Sequence, residues 1–340
     1  MDLNYNVDGI EVRKLTADDL GYSPECYKRD RNAQLLRLIN WCIFFPDDDT
    51  NPHYFMRNME PDKYRWGGII RCGDGPLSSQ TSAHHTDIAQ GDDLTSTYSK
   101  ISDDPITYEI KSEEPFSEYR FTENGATWKE SDVLDLEAEF FPFAIFTHLD
   151  SVYPVTYWVQ HVLLTGTYQG KPIKTLGCFD RVFKPEGVGD EYFQKALIYI
   201  SGYYSGIRKD GRKECVWTMI GDQNGKGVGV YWLEGEEPVI SSEVHLQADW
   251  QHLPYAPDDP SVSYTKATWR FGGKVIHFDV KWASKGHTPT PRMWTPGLSQ
   301  CYGTWYEGDT PYEHEVWHTF GENDFITEDQ VKSMGFTVKE

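Results

Sequence analysis

Asp180 and Arg181 stand side by side in an otherwise apolar run, with Leu176-Gly177-Cys178-Phe179 before them and Val182-Phe183 after. Desolvating an unpaired charge costs several kcal/mol or more, so each must find a partner or face a polar space. Neighbouring residues of a strand point to opposite faces, which keeps these two from pairing with each other and sends one of them inward. Asp180 is the leading candidate for a catalytic acid, because an apolar surrounding favours the neutral carboxyl that can donate a proton, unless a cation lies close. Arg181 is then a candidate for holding a substrate oxygen. His161, on the preceding apolar run, and His148 are candidate bases, weighed against the plainer reading of a structural strand histidine.

The other conspicuous pattern is His314-Glu315-Val316-Trp317-His318, which matches HExxH and is followed by Gly321 and Asp324. In a zinc hydrolase the two histidines lie one helical turn apart and the glutamate polarises a metal-bound water. Here Tyr312, His314, Val316, His318 and Phe320 alternate with Glu313, Glu315 and Trp317, and the residue types favour a strand. The stretch is therefore expected to be extended. Glu315 remains a candidate for assisting proton transfer and Trp317 for lining a ligand site. His84-His85 and Asp87 lie in a polar stretch that is either a solvated loop or the rim of a pocket, and His85 is retained as a binding candidate. Gly225-Lys226-Gly227-Val228-Gly229 lacks the strand, loop and helix setting of a phosphate site and reads as turn glycines.

These residues need elements to hold them. Val155 to Phe183 reads as a β-hairpin turning at Gln169-Gly170-Lys171-Pro172, which puts Tyr157 and Trp158 on its first arm as candidate ligand contacts. Before it, Pro24 to Phe44 has near-helical spacing of Leu35, Leu36, Leu38, Ile39 and Cys42, with Ser23 as a cap. Short strand-like runs follow at Tyr64 to Cys72, Thr95 to Ile101, Ile106 to Lys111, Phe116 to Phe121 and Val133 to Phe143. After the hairpin come Gln194 to Ile207, Cys215 to Asp222, Val228 to Leu233, Val239 to Ala248, Ser263 to Phe271 and Lys274 to Trp282. Lys209-Asp210-Gly211, Asn224-Gly225 and Gly272-Gly273 mark turns between them. Gly303 to Phe320 is again strand-like, and Thr327 to Ser333 suits a terminal helical turn or two. Most tryptophans, among them Trp158, Trp217, Trp232, Trp250, Trp269 and Trp305, fall in these runs and are expected in the core.

Many short runs, frequent turns and 15% aromatic residues point to an all-β protein of two antiparallel barrels or sandwiches with a short N-terminal helix. A division into residues 1–153 and 154–340 is expected. The formal net charge of -21 argues against nucleic acid and anionic membranes as partners. The six cysteines are scattered without a CxxC, so free, mostly buried thiols are expected. No leader-like N-terminus and no run of about 18 apolar residues is present, which suggests a cytoplasmic chain.

The hairpin TGTYQGKPIKTLGCFDRVF, set between two β-rich halves, resembles that of the lipocalin-like double-barrel (calycin) superfamily, which includes carotenoid hydratases and fungal Diels-Alderase-type cyclases. The resemblance covers about Tyr64 to Phe320, and Gly177-Cys178-Phe179-Asp180 looks like the small-residue, Asp and aromatic segment that ends the hairpin there. It implies two closed or nearly closed antiparallel barrels and an apolar pocket. The functional expectation is a cofactor-independent hydratase, dehydratase, isomerase or cyclase acting on a terpenoid, polyketide or steroid-like molecule of secondary metabolism. Neither a cofactor nor a metal ion is called for, the expected partner is a small hydrophobic molecule, and a homodimer is left open. A non-catalytic carrier, a carbohydrate-active protein and a metal-dependent hydrolase using His314 and His318 are the alternatives.

Overall fold

The computed structural model describes residues 3–20, 33–44, 53–60, 63–71, 82–83, 94–95, 97–113, 116–131, 134–149, 155–168, 170–185, 199–221, 227–252, 262–285, 299–307, 310–311, 314–323 and 328–339. The first part of the chain forms β1 (Asn4–Val7), β2 (Ile10–Arg13), helix α1 (Ala17–Leu20), β3 (Ala33–Phe44), β4 (His53–Glu60) and β5 (Lys63–Arg71). There follow β6 (Ser82–Ala83), β7 (Leu94–Thr95), β8 (Thr97–Asp103), β9 (Ile106–Glu113), β10 (Phe116–Phe121) and β11 (Gly125–Glu130). The long strands β12 (Leu134–Leu149), β13 (Val155–Tyr168) and β14 (Lys171–Pro185) complete a first antiparallel sheet of 14 strands.

The second sheet, of 11 strands, begins with β15 (Tyr199–Arg208), β16 (Lys213–Gly221), β17 (Gly227–Leu233), β18 (Val239–Ser241) and β19 (His245–His252). It continues with β20 (Val262–Phe271), β21 (Lys274–Lys285), β22 (Ser299–Glu307), β23 (Thr310–Pro311) and β24 (His314–Asn323). Helix α2 (Glu328–Ser333) leads to β25 (Val338–Lys339), which pairs parallel with β19. The chain is thus an all-β protein of two large, mainly antiparallel units with a very short N-terminal helix. In the first unit β14 pairs with β3 and β13, and in the second β15 pairs with β16 and β24, so the first strand of each unit's long hairpin stack is tied back to a sequence-distant one.

One expectation is corrected. The stretch with helical spacing is not a helix: β3 runs from Ala33 to Phe44, paired on one side with β14 and on the other with β4. A strand hydrogen-bonded on both edges tends to be a near-continuous apolar run, whose spacing imitates a helix when read without its partners. Residues 24–32 lie outside the described residues. The hairpin β13–β14 belongs to the first sheet, and the second sheet begins at Tyr199.

Each sheet folds its own aromatic core. Tyr119, Phe121, Trp128, Phe140, Phe146, Trp158 and Phe179 are buried inside the first. Tyr204, Tyr231, Trp250, Tyr264, Trp269, Phe278 and Trp305 are buried inside the second, joined by Val331 of α2. Burial of each such ring contributes roughly 2 to 3 kcal/mol. The N-terminal segment straps across the first core. Thr16 donates from its amide and hydroxyl to Asp19, at 2.7 Å each, which caps α1. Arg13 grips the same carboxylate with two bonds of 2.7 and 2.9 Å, and its guanidinium lies 3.8 Å over Phe146. Together the Thr16 and Arg13 contacts hold the Asp19 carboxyl below its ordinary range despite burial.

Candidate active site

The hairpin β13–β14 has two faces with different chemistry, and the register says which residue is on which. Trp158, Val162 and Leu164 of β13 and Phe179 of β14 are in the first core. Tyr157, Val159 and His161 therefore point the other way, and so do Cys178 and Asp180, which pair with His161 and Val159 respectively. That outer face meets the second sheet. Tyr203 of β15 and Trp217 of β16, cross-strand neighbours, stand against Tyr157, with ring centroids 5.4 Å apart for Tyr157 and Trp217 and 5.9 Å for Tyr203 and Trp217. Two residues along, Trp232 of β17 packs against Phe141 and Phe143 of β12 at 6.1 and 5.2 Å. The Phe141 ring in turn lies 6.0 Å from His161.

At the centre of this junction is a buried hydrogen-bond chain. The Tyr157 hydroxyl donates to Asp180 Oδ2, and 2.8 Å separates it from the Tyr203 hydroxyl. Asp180 is 2% exposed, Tyr203 1% and Trp217 0%, so the carboxyl and both phenols are out of bulk water. The chain crosses from one sheet to the other. A carboxyl and two phenols, lined up against an indole face, can store a proton, pass it and stabilise a developing cation beside them.

His161 is on the same face, opposite Cys178 and so about 7 Å along the sheet from Asp180 by strand rise. Burial drives its pKa down to about 3, so the imidazole is neutral at ordinary pH. Neither of its ring nitrogens has a hydrogen-bond partner among the described residues. This suits a hydrogen-bonding group better than a general base, since a base of such low pKa has little drive to take a proton.

Arg181 and Trp158 are on the opposite face, inside the first core. The Arg181 guanidinium lies 5.3 Å from the Phe121 ring and 5.5 Å from that of Trp158, and Nη1 donates to the Asp19 carbonyl at 2.9 Å. The sequence expectation that Asp180 and Arg181 do not pair with each other is met, and Arg181 anchors the N-terminal strap. His148 is half-buried, with Nδ1 3.2 Å from Thr156 Oγ1 and Nε2 3.5 Å from Glu11. Cys178 and Cys215 are buried, and burial beside Glu214 pushes the Cys215 thiol up.

The HExxH segment is extended, as its alternation predicts: β24 spans His314–Asn323. His314 and His318 are thus four residues apart on a strand, about 13 Å by strand rise, and not one helical turn apart as in a zinc-binding HExxH. Register pairs His318 with Ser205 and Trp317 with Gly206, and Glu315 falls at the irregularity between the Arg208 and Ile207 pairings. His85 lies outside the described residues. The structure therefore brings Tyr157, His161 and Asp180 to one face and sets Trp158 and Arg181 on the other. Tyr203 is not singled out by the sequence, because its partner Tyr157 lies 46 positions away in the other sheet.

No family model and no curated protein matches the chain. Solved structures do. An AttH-type protein of Nitrosomonas europaea aligns with 11% identity over 85% of this chain and 92% of its own, at a TM-score of 0.40. Kievitone hydratase of Nectria haematococca aligns with 7% identity over 87% of this chain and 90% of its own, at a TM-score of 0.42. Among the described residues no helix is long and apolar enough to cross a membrane.

Proposed function

We propose that the protein is an enzyme that adds, removes or shifts a proton on an apolar small molecule held between the two sheets, a hydratase, dehydratase, isomerase or cyclase of a terpenoid, polyketide or steroid-like substrate. The observation that carries this reading is the buried chain from Asp180 through Tyr157 to Tyr203, flanked by Trp217. Asp180 in its neutral form gives its proton to an alkene carbon or a leaving hydroxyl. The cation that forms is met by the Trp217 face, and the carboxylate takes a proton back from the attacking water or from the carbon next to the cation. Tyr157 donates to the carboxylate produced and so stabilises it, while Tyr203 fixes the direction of the Tyr157 hydroxyl. The resemblance of the hairpin to that of carotenoid hydratases and Diels-Alderase-type cyclases points the same way.

The test is an Asp180→Asn variant, which keeps shape and hydrogen bonding and removes the exchangeable carboxyl proton. Turnover of a substrate found by screening prenylated and polyketide alkenes is expected to fall about a hundredfold or more with the fold intact. A variant with full turnover overturns the catalytic assignment. A parent protein that binds but converts none of these compounds identifies a carrier instead.

A further inference from the structure

A second group of reactive side chains stands at the end of the first sheet, where β2, β12 and β13 lie side by side. Register places His148 of β12 directly opposite Thr156 of β13, and Glu11 of β2 opposite Phe146, which neighbours His148 on the same face. The three side chains meet. Thr156 Oγ1 is 3.2 Å from His148 Nδ1, and His148 Nε2 is 3.5 Å from Glu11 Oε1. Glu11 and His148 are each fixed from outside the group. Arg13 Nε donates to the other carboxylate oxygen, Glu11 Oε2, at 3.1 Å, and the His148 amide donates at 3.1 Å to the Gly9 carbonyl, in the turn between β1 and β2.

The carboxylate decides which way the protons run. It can only accept, so Glu11 favours the imidazole tautomer with its hydrogen on Nε2. Nδ1 then carries the lone pair, and the Thr156 hydroxyl donates to it. A hydroxyl that donates to an imidazole whose far side faces a carboxylate supplies the nucleophile, base and orienting group of acyl transfer. Exposure sets this group apart from the junction. The His148 and Glu11 side chains are 32% and 29% exposed, with Thr156 bordering them, so an ester and then water can reach the imidazole from solvent, whereas the Asp180 chain is dry.

We propose that Thr156, His148 and Glu11 form a second active site, an esterase centre for small activated esters. Thr156 Oγ1 bonds to the ester carbonyl carbon as its proton passes to His148 Nδ1. The bond from that carbon to the alkoxy oxygen breaks, and His148 gives the proton to the departing alcohol. Water then attacks the acylthreonine; the same imidazole takes a proton from the water and hands it to Thr156 Oγ1 as the carboxylic acid leaves. Glu11 touches no reacting atom and is a positioning residue, acting through Nε2. The proposal does not depend on the function assigned to Asp180.

The test uses the full chain and p-nitrophenyl acetate, with nitrophenolate release followed by absorbance and acetylation sites located by peptide mass spectrometry after an acid quench. The parent is expected to release nitrophenolate faster than Thr156→Val and to carry acetyl on Thr156. His148→Gln, which keeps a hydrogen-bond acceptor but cannot take the proton, is expected to slow the Thr156-dependent release about a hundredfold. Glu11→Gln is expected to slow it about tenfold and Glu11→Asp to stay within about threefold of the parent, a rescue that a loss of packing would not show. Acetylation of surface lysines, equal in all variants, is the internal standard. If His148→Gln loses its near-ultraviolet circular dichroism, the two Glu11 variants decide. A parent with neither acetyl on Thr156 nor release above that of Thr156→Val overturns the proposal. So does an unchanged rate in folded His148→Gln or Glu11→Gln.

Discussion

Burying a histidine with neither ring nitrogen bonded to protein has a thermodynamic signature that can be measured without knowing any substrate. In the folded chain the His161 imidazole takes up a proton only near pH 3, because burial penalises the charged form; in the unfolded chain it does so near its ordinary 6.5. Above about pH 6.5 both states are neutral there and the group contributes no pH dependence. As pH falls below that value the unfolded chain gains the proton first, so stability drops, and the loss continues until the folded-state value is reached. Between pH 7 and pH 5 the parent is expected to lose about 2 kcal/mol more than a His161→Leu variant in urea denaturation. Parallel pH profiles for the two would show that the folded-state imidazole is protonated as easily as a free one.

At the scale of elements, the long hairpins depend on places where backbone approaches backbone. Gly166 of β13 has φ +146° and pairs with Leu136 of β12; a Cβ built on it would come 2.1 Å from the Asp135 carbonyl oxygen. That contact is backbone on both sides and cannot be relieved by a rotamer change. Gly166→Ala is expected to destabilise the protein by about 2 to 4 kcal/mol, read as a lower urea midpoint at constant slope. Gly170→Ala, at φ +75° but with open space around its Cβ, is the milder control. Gly272 and Gly273, with φ of +51° and +81°, supply the two left-handed residues that a tight hairpin turn between β20 and β21 requires.

The whole molecule is held together at the junction that also houses the candidate site. Besides the phenol chain and the Tyr157–Trp217 contact, the described residues join the two sheets through Trp232 against Phe141 and Phe143, the Lys213 to Glu139 ion pair and Ser242 bonding Asp8 at 2.7 Å, among others. The last two contacts are exposed and contribute little. Trp232, 3% exposed, packs on two phenylalanine rings of the first sheet, and Trp232→Ala is expected to cost about 3 to 5 kcal/mol. An unchanged midpoint in urea would show that the sheets are held elsewhere. Shaping a site from two sheets in this way lets each keep its own dry core while the surfaces between them carry acids, phenols and serines.

Local physics accounts for what the sequence determined by itself. Alternation and turn residues marked most strands within a few positions, and the period-two pattern of His314 to Phe320 was enough to foresee an extended HExxH, because strand and helix place side chains at incompatible spacings. The opposite orientation of Asp180 and Arg181 was legible for the same reason. Tertiary structure alone decided the rest. Whether Leu35 to Cys42 is helix or strand turned on two partners distant in sequence, β4 and β14, which no local window contains. Which face of the hairpin is core and which meets the second sheet is invisible in an alternation that is apolar on both sides. The partnership of Asp180 and Tyr157 with Tyr203 joins residues of two sheets, 46 positions apart for the two tyrosines, and exists only once both have folded and met.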